Sequence, residues 1–247
     1  MIEAFVYVVL ITLAEVITVN VNLVWGILSH IVLLVAVILH SALVSKQTRQ
    51  NLLLSLALVP LIRIISLSMP LAGIPQIWWY PIIYIPLLVA AWQVIRLQGY
   101  SWEQIGLNFN RIPIQLGITM AGFVFGVLEY LILMEEAKEI SLVLQETRLL
   151  AAFLLLSTTG FVEELTFRGV LQRNAVEALG RWWGIVYVSL TFAIVHLIHQ
   201  SLLDVGFVFI IALIFGWVVN KTGSLSGVIL SHGITNIVLF LVAPSFF

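Results

Sequence analysis

Two adjacent glutamates followed by an arginine form the first group in this sequence that could carry out chemistry. They are Glu163, Glu164 and Arg168. On a helix, Glu164 and Arg168 lie one turn apart on the same face, where the guanidinium can form a charge-assisted pair with the carboxylate. Glu163 points about 100° away around the helix axis and is free to face another partner. The arrangement suits Glu163 as a general base, with Glu164 neutralised by Arg168.

Two further pairs of side chains have the same one-turn spacing. Phe192 and His196 form one pair, in which the phenyl ring can pack beside the imidazole. His232 and Asn236 form the other pair, and they could direct two hydrogen-bond donors at the same ligand atom. Gly233, next to the histidine, permits close approach of a partner helix or a substrate. Any one pair, taken alone, is more simply explained by packing or by an interhelical hydrogen bond.

The composition predicts that lipid surrounds the elements that carry these residues. Hydrophobic residues make up 62% of the 247 and charged residues only 9%, against roughly 45–50% and about 25% in soluble domains. The net charge of −1 gives no electrostatic reason to expect a nucleic-acid partner. The chain has no cysteine, which excludes disulfides, thiolate metal sites and cysteine nucleophiles.

Hydropathy predicts an all-α fold, a polytopic transmembrane helix bundle of eight or nine spans. A helix needs about 20 apolar residues to cross a bilayer. Nine spans are preferred; eight remain an alternative because the first forty-four residues contain no charged break between spans. The first twenty residues, which lack Lys and Arg, are expected to be a retained span and not a signal peptide. The candidate spans cover residues 4–20, 22–44, 51–70, 78–97, 112–134, 149–168, 183–200, 203–220 and 224–243.

The basic residues predict the orientation of the bundle. With nine spans, most of the Lys and Arg residues between spans fall on one side, which the positive-inside rule assigns to the cytoplasm. The loops on the opposite side carry Lys138 and Arg148, diluted by four glutamates between residues 135 and 146. The N-terminus is therefore expected in the cytoplasm. The charged segment 135–148 is expected to form an interfacial helix, and 168–181 a basic amphipathic stretch.

Other ionisable residues within the predicted spans have simpler interpretations. Glu15 and Arg63 lie at similar depth and are expected to form an interhelical ion pair. The lone histidines His30 and His40 are expected to be satisfied by a neighbouring backbone group or hydroxyl. Glu129 is expected to extend to water from the end of its span. His199, also near a span end, is expected at the membrane interface and outside any site.

Three polar pairs on three spans indicate function when they are taken together. A charged side chain at the membrane centre costs at least about 2.5–3.5 kcal/mol. A buried glutamate, two histidines and an asparagine are too costly at this rate to be incidental. They predict a working site inside the bundle.

The ordered motifs resemble a known family. Glu-Glu-x-x-x-Arg, Phe-x-x-x-His and His-x-x-x-Asn, in this order on separate membrane helices, are similar to the CPBP family, the CAAX prenyl endopeptidases and bacteriocin-processing enzymes also called Abi proteins. The segments Phe167–Leu171 and Thr222–Leu225 match the context of the family motifs. The resemblance covers roughly residues 100–240. It implies variable transmembrane helices over 1–100 and a catalytic transmembrane core over 101–247, within a single integral-membrane domain.

The resemblance also implies a role for each residue and an intramembrane endopeptidase activity. Glu163 and His196 would activate water, with Glu164 as a supporting carboxylate that Arg168 fixes. His232 and Asn236 would form the oxyanion hole. The expected partners are membrane lipid and a membrane-associated peptide or C-terminal segment of a protein. The expected location is a prokaryotic inner membrane, with the site open to the cytoplasm.

Several alternatives remain open from the sequence. A metal-free site is preferred, but Glu163, His196 and His232 could instead hold Zn²⁺ with a bound water. A non-catalytic immunity or scaffold protein of the same family, or an ion-coupled transporter with a buried proton relay, would also need buried polar groups. Counting residues from the cytoplasmic ends places His196 deeper than Glu163 by about 10 Å. Tilt, a kink, or a first-motif helix that continues past Arg168 would have to close this gap.

Overall fold

Helices account for nearly all of residues 2–246, the part of the chain that this computed structural model describes. The first five α-helices precede the loop at 99–111, and they are α1 (Ile2–Asn20), α2 (Leu23–Leu43), α3 (Gln47–Leu56), α4 (Leu58–Ala72) and α5 (Trp79–Gln98). Three more follow the loop, namely α6 (Ile112–Ile132), α7 (Met134–Leu144) and α8 (Arg148–Leu155). Two π-helical stretches, Leu156–Glu163 and Leu165–Leu171, then lead into α9 (Gln172–Leu179). The remaining elements are α10 (Arg181–Ile194), a 3₁₀ segment (Val195–His199), α11 (Leu202–Thr222), α12 (Ser226–Ile237) and a π-helical end (Val238–Val242).

Within residues 2–246, nine helical segments are long and apolar enough to cross a membrane. The predicted all-α bundle is confirmed, and nine spans are confirmed over eight. The first two spans are separate helices because the chain turns at Val21 and Asn22, where the Asn22 side chain caps α2 by accepting a hydrogen bond from Trp25 N. Helices α3 and α4 together make the third span, Gln47–Ala72.

The helix that carries the two glutamates differs from the predicted span 149–168. Its helical turns run without a break through α8, the two π-helical stretches and α9, and we call residues 148–179 the glutamate helix. The helix ends at Gly180, which adopts φ 88°, a conformation that favours glycine. Arg168 is therefore buried inside the helix and does not begin an amphipathic surface stretch. A first-motif helix that continues past Arg168 is thus the arrangement found here.

Helix α12 is packed between α6 and the glutamate helix, and it brings the third motif to the first. The contact with the glutamate helix depends on two glycines. A Cβ atom on Gly160 would lie 2.8 Å from Ile229 O and 2.9 Å from Gly233 N, and a Cβ on Gly233 would lie 2.9 Å from the backbone Cα of Leu156. Real side chains do not approach so closely, so both positions require glycine. The close approach expected at Gly233 is confirmed, with a helix as the partner.

The buried ion pair expected in the N-terminal helices is present. Arg63 Nε and Nη2 donate to the two carboxylate oxygens of Glu15 at 2.5 and 2.7 Å. The expectation for His30 is wrong, because α2 packs against both α1 and α4 and places His30 Nε2 3.0 Å from Glu15 Oε1. His40 does meet a hydroxyl, that of Tyr7, at 3.0 Å from Nδ1.

Candidate active site

The first motif forms the predicted ion pair in the middle of the glutamate helix. Arg168 Nη1 donates to Glu164 Oε1 at 2.9 Å, and both residues are buried. The guanidinium also stacks 4.2 Å from the ring centroid of Phe192, a cation–π contact that connects the first motif to the second. The backbone here is π-helical, a form that is rare and frequently found at functional sites.

The same carboxylate oxygen of Glu164 also meets the third motif. His232 Nδ1 lies 2.8 Å from Glu164 Oε1. Since an ionised carboxylate only accepts hydrogen bonds, Nδ1 of His232 is the donor. This leaves Nε2 of the same ring free to act elsewhere, and it lies 3.9 Å from Glu163 Oε2. Glu164 therefore fixes the orientation of His232 as well as that of Arg168.

The second motif is held by its own backbone. His196 Nδ1 lies 2.9 Å from the carbonyl oxygen of Phe192, one turn earlier. A carbonyl oxygen accepts, so Nδ1 carries the proton and the neutral imidazole keeps a lone pair on Nε2. The Phe192 ring packs at 4.9 Å from the imidazole, centroid to centroid, as the spacing predicted. His196 itself lies in the 3₁₀ segment after α10.

Asn236 is oriented by the glutamate helix. Its Nδ2 donates to Thr159 Oγ1 at 2.8 Å. An amide nitrogen has two hydrogens, so one remains for another acceptor. The third motif is thus fixed to the glutamate helix at two places, through Thr159 and through Glu164.

All six predicted site residues line one cavity of about 230 Å³, which we call the site cavity. Three separate helical regions contribute them. The rest of the lining is largely apolar and includes Phe207, Phe215 and Leu239. The arrangement gives a carboxylate, a neutral imidazole and an amide N–H donor around a space that can hold a short stretch of peptide, and His232 Nε2 adds a second donor when that ring is protonated. The six residues are Glu163, Glu164, Arg168, His196, His232 and Asn236.

Sequence reasoning missed Tyr84 on α5. Its hydroxyl donates a hydrogen bond to Glu163 Oε1, and it lines the site cavity. Helix α5 contains several aromatic residues in an apolar segment, and nothing in its pattern distinguishes Tyr84 from Tyr80 or Trp79. The site therefore draws one of its contacts from the N-terminal hundred residues.

Two ionisable residues that were expected outside the site also line its cavity. Glu129 is only 8% exposed and faces the site cavity, so the expectation that it extends to water is wrong. His199 also lines the cavity, and its Nδ1 lies 2.8 Å from Glu136 Oε1 in a partly exposed pair. The cost of burying an ionisable group was the signal that could have identified Glu129.

The zinc alternative finds no ready ligand set in the described part of the chain. Among residues 2–246, no three His, Asp or Glu side chains gather in a way that could hold a metal ion. Nδ1 of His196 and Nδ1 of His232 are each engaged by an oxygen of the protein, and Nε2 of His232 is 3.9 Å from Glu163. The Nδ1 contacts leave Nε2 of each histidine for another partner, so the choice between a metal-free site and a zinc site stays a prediction.

Comparison with known proteins agrees with the resemblance drawn from the motifs. Residues 145–238 match the family described as type II CAAX prenyl endopeptidase Rce1-like. This segment begins before the first motif and contains all six predicted site residues. Searches of curated proteins and of solved structures found no match to the chain. The chain is therefore a multi-pass integral membrane protein whose residues 145–238 are similar to the Rce1-like type II CAAX prenyl endopeptidases of the CPBP family.

Proposed function

We propose that this protein is an intramembrane endopeptidase in which Glu163 and His196 activate a water molecule for attack on a peptide carbonyl. The observation that carries the proposal is the convergence of the three motifs on the site cavity, from helices far apart in the sequence. The family match supports peptidase activity in general. The remaining steps follow from the hydrogen-bond roles of the side chains.

Water activation falls to Glu163 and His196. Tyr84 occupies Oε1 of Glu163, which leaves Oε2 to accept a proton from water. The lone pair on His196 Nε2 accepts the second hydrogen of the same water and orients it. The water oxygen then bonds to the carbonyl carbon, and the carbonyl oxygen takes the negative charge.

The developing oxyanion is stabilised by donors from the third motif. Asn236 offers its second amide hydrogen, and His232 offers Nε2. Because Nδ1 of His232 already donates to Glu164, Nε2 can donate only when the ring is an imidazolium. With His232 protonated, the formal charges of Glu163, Glu164, Arg168 and His232 sum to zero. Each such donor typically contributes about 2.7–4 kcal/mol to a transition state.

Collapse of the tetrahedral intermediate completes the reaction. Glu163 returns the proton taken from water to the leaving nitrogen, the C–N bond breaks, and the electron pair goes to that nitrogen. The products are a carboxylic acid and an amine, and Glu163 is again a carboxylate. No oxidant or co-reactant other than water is consumed.

The substrate is proposed to be a membrane-associated peptide or the C-terminal segment of a protein. The apolar lining of the site cavity, with four phenylalanines among its residues, suits an apolar side chain or a lipid-modified residue. We propose a prokaryotic inner membrane as the location. The Lys and Arg distribution predicts an N-terminus in the cytoplasm, and Glu129 and His199 of the site cavity then lie near the outer ends of their spans. The catalyst is proposed to act without a metal.

The test uses the purified protein in lipid vesicles with prenylated and unprenylated peptides of the same sequence. Cleavage by the wild type and its loss in Glu163→Gln and His196→Ala are the expected results. Activity that persists in both variants would contradict the mechanism. A parallel series with exhaustive chelation is expected to leave the rate unchanged. Loss on chelation and recovery with Zn²⁺ would support the zinc alternative instead.

A further inference from the structure

A second cavity adjoins the site cavity on the side of the N-terminal helices. It measures about 160 Å³ and we call it the side cavity. Half of its twelve lining residues are polar or ionisable, an unusual proportion for a space among apolar membrane helices. These six are Arg63, Ser66, Tyr84, Glu163, His196 and His199.

The two cavities meet at the residues proposed to activate water. Glu163 and His196 line both of them. His232 and Asn236 line only the site cavity, whereas Arg63 lines only the side cavity. Glu163 and His196 therefore lie between a space that contains the oxyanion donors and a space that contains a buried arginine.

Arg63 is held rigidly at this second space. Glu15 binds its Nε and Nη2, and His30 supports the same carboxylate at 3.0 Å. Glu15 and His30 are fully buried. Nη1 is the nitrogen that Glu15 leaves free, and it donates weakly to Ser66 Oγ at 3.3 Å. Both partners in that contact line the side cavity, so polar hydrogens and lone pairs are available there.

A buried ion pair of this kind gives little stability by itself. Well-packed apolar residues of the same volume often stabilise a protein equally or better, because charges are costly to remove from water. The Glu15–Arg63 pair needs another explanation, and its position at the edge of the side cavity provides one. The pair fixes a cationic donor next to the catalytic side chains.

The side cavity meets the physical conditions for holding water. A buried water needs about 10–15 Å³ of accessible volume and two to four polar partners. The side cavity has room for several waters, with the guanidinium, the Ser66 hydroxyl, the Tyr84 hydroxyl, the Glu163 carboxylate and the His196 imidazole on its wall. Leaving such groups dry would cost several kcal/mol, of the order known for unsatisfied buried polar groups.

We infer that the side cavity is a water chamber, in which Arg63 and Ser66 hold water that replenishes the molecule activated by Glu163 and His196. A peptide bound in the site cavity would displace water from there, and each cleavage consumes one water. A chamber on the other side of the two catalytic residues supplies the next one without release of the peptide. The proposal that the chamber supplies water to the reaction rests on the proposed hydrolytic function. The proposal that the chamber is hydrated does not depend on that function. Arg63 is a positioning residue in this scheme.

Hydration is tested without any activity measurement. The chain has no native cysteine, so Ser66→Cys introduces a single thiol into the chamber and Ser68→Cys introduces one two residues away on the same helix. Ser68 does not line the chamber, and its hydroxyl donates to Ile64 O. X-ray radiolysis in lipid nanodiscs turns bound water into hydroxyl radicals in place. We expect rapid oxidation of the Ser66→Cys thiol and slow oxidation of the Ser68→Cys thiol, read by mass spectrometry. Equal slow oxidation of the two would overturn the inference.

The supply role is tested with Ser66→Leu, which fills the chamber, and Ser68→Leu as the matched control. We expect Ser66→Leu to lower kcat by about tenfold with little change in KM, since substrate binding is intact and a chemical step is slowed. Ser68→Leu should resemble the wild type.

If kcat is equal in the two variants, the chamber does not supply water, although the proposed endopeptidase stands. If the wild type cleaves no peptide, the proposed function fails and the radiolysis result still decides whether the chamber is hydrated. Should Ser66→Leu fail to fold, the thiol variants keep the inference open to contradiction.

Discussion

His232 and Glu164 meet at 2.8 Å across two helices whose contact residues lie 68 positions apart in the chain. The oxygen of Glu164 that binds His232 also binds Arg168 at 2.9 Å. One buried carboxylate thus determines the position of the arginine and the tautomer of the histidine. The first and third motifs are parts of a single hydrogen-bonded group, which explains why a sequence with one would need the other.

Glu164→Gln is expected to damage both stability and activity. The amide cannot balance the buried charge of Arg168, and breaking a buried pair typically costs about 3–5 kcal/mol. His232 would also lose the acceptor that orients it. Unfolding in detergent and peptide cleavage measure the two effects. Glu177→Gln, at an exposed position on α9, is the control and should leave both unchanged. A Glu164→Gln protein with wild-type stability would contradict the central role of this carboxylate.

Tyr84→Phe is expected to lower kcat and leave KM nearly unchanged. The variant removes the hydroxyl that donates to Glu163, and a hydrogen bond to a charged group contributes about 1.5–3 kcal/mol, or roughly ten- to a hundredfold in rate. Tyr80→Phe is the matched control because Tyr80 lies one turn earlier on α5 and lines the same cavity. Equal rates for the two variants would show that Tyr84 has no part in positioning Glu163.

Features that depend on local sequence could be predicted, and features that depend on helix packing could not. Nine spans follow from hydropathy, and the Glu164–Arg168 pair follows from one-turn spacing. Tyr84 belongs to the second class. Its contact with Glu163 arises only because α5 packs against the glutamate helix, and a tyrosine in an apolar helix gives no sign of its partner.

The wrong expectations for His30 and Glu129 have the same physical cause. His30 was expected to meet a neutral group because its own helix is apolar, but the neighbouring helix presents Glu15. Glu129 was expected to reach water because it lies near the end of a span, but it is buried and lines the site cavity. In both cases the deciding group lies on another helix. The depth difference between Glu163 and His196 was resolved by α9, which extends the glutamate helix beyond the predicted end.

Gly160→Ala is expected to destabilise the protein by about 1–3 kcal/mol, the usual cost of overpacking. The added methyl group would lie 2.8 Å from the backbone oxygen of Ile229, and backbone cannot yield as a side chain tip can. Separation of the two helices would also lengthen the contact between Glu164 and His232. Gly117→Ala is the control, since nothing lies within 4 Å of a Cβ there. Unchanged melting temperature in Gly160→Ala would mean that the helices are not held at this spacing.

The Glu15–Arg63 pair is expected to show strong coupling in a double-mutant cycle. Arg63→Met leaves Glu15 buried without its main partner and should lower the free energy of unfolding by about 3–5 kcal/mol. Glu15→Gln combined with Arg63→Met removes both charges and should recover much of that loss. Unfolding of the four proteins in mixed micelles measures the coupling. Additive losses would indicate that the two side chains do not interact in the membrane.

Asn236→Ala is expected to lower kcat by about 10²–10³-fold, the range found when one oxyanion donor is removed. KM should change little, because the amide stabilises charge that develops only in the transition state. Asn236→Asp has nearly the same shape but lacks the amide donor, so it should lose as much activity as the alanine variant. Thr159→Val removes the acceptor that orients the amide at 2.8 Å and should cause a smaller loss of the same kind. Steady-state kinetics of the three variants on one peptide measure these losses. An active Asn236→Asp enzyme would mean that a hydrogen-bond acceptor, and not a donor, is needed at this position.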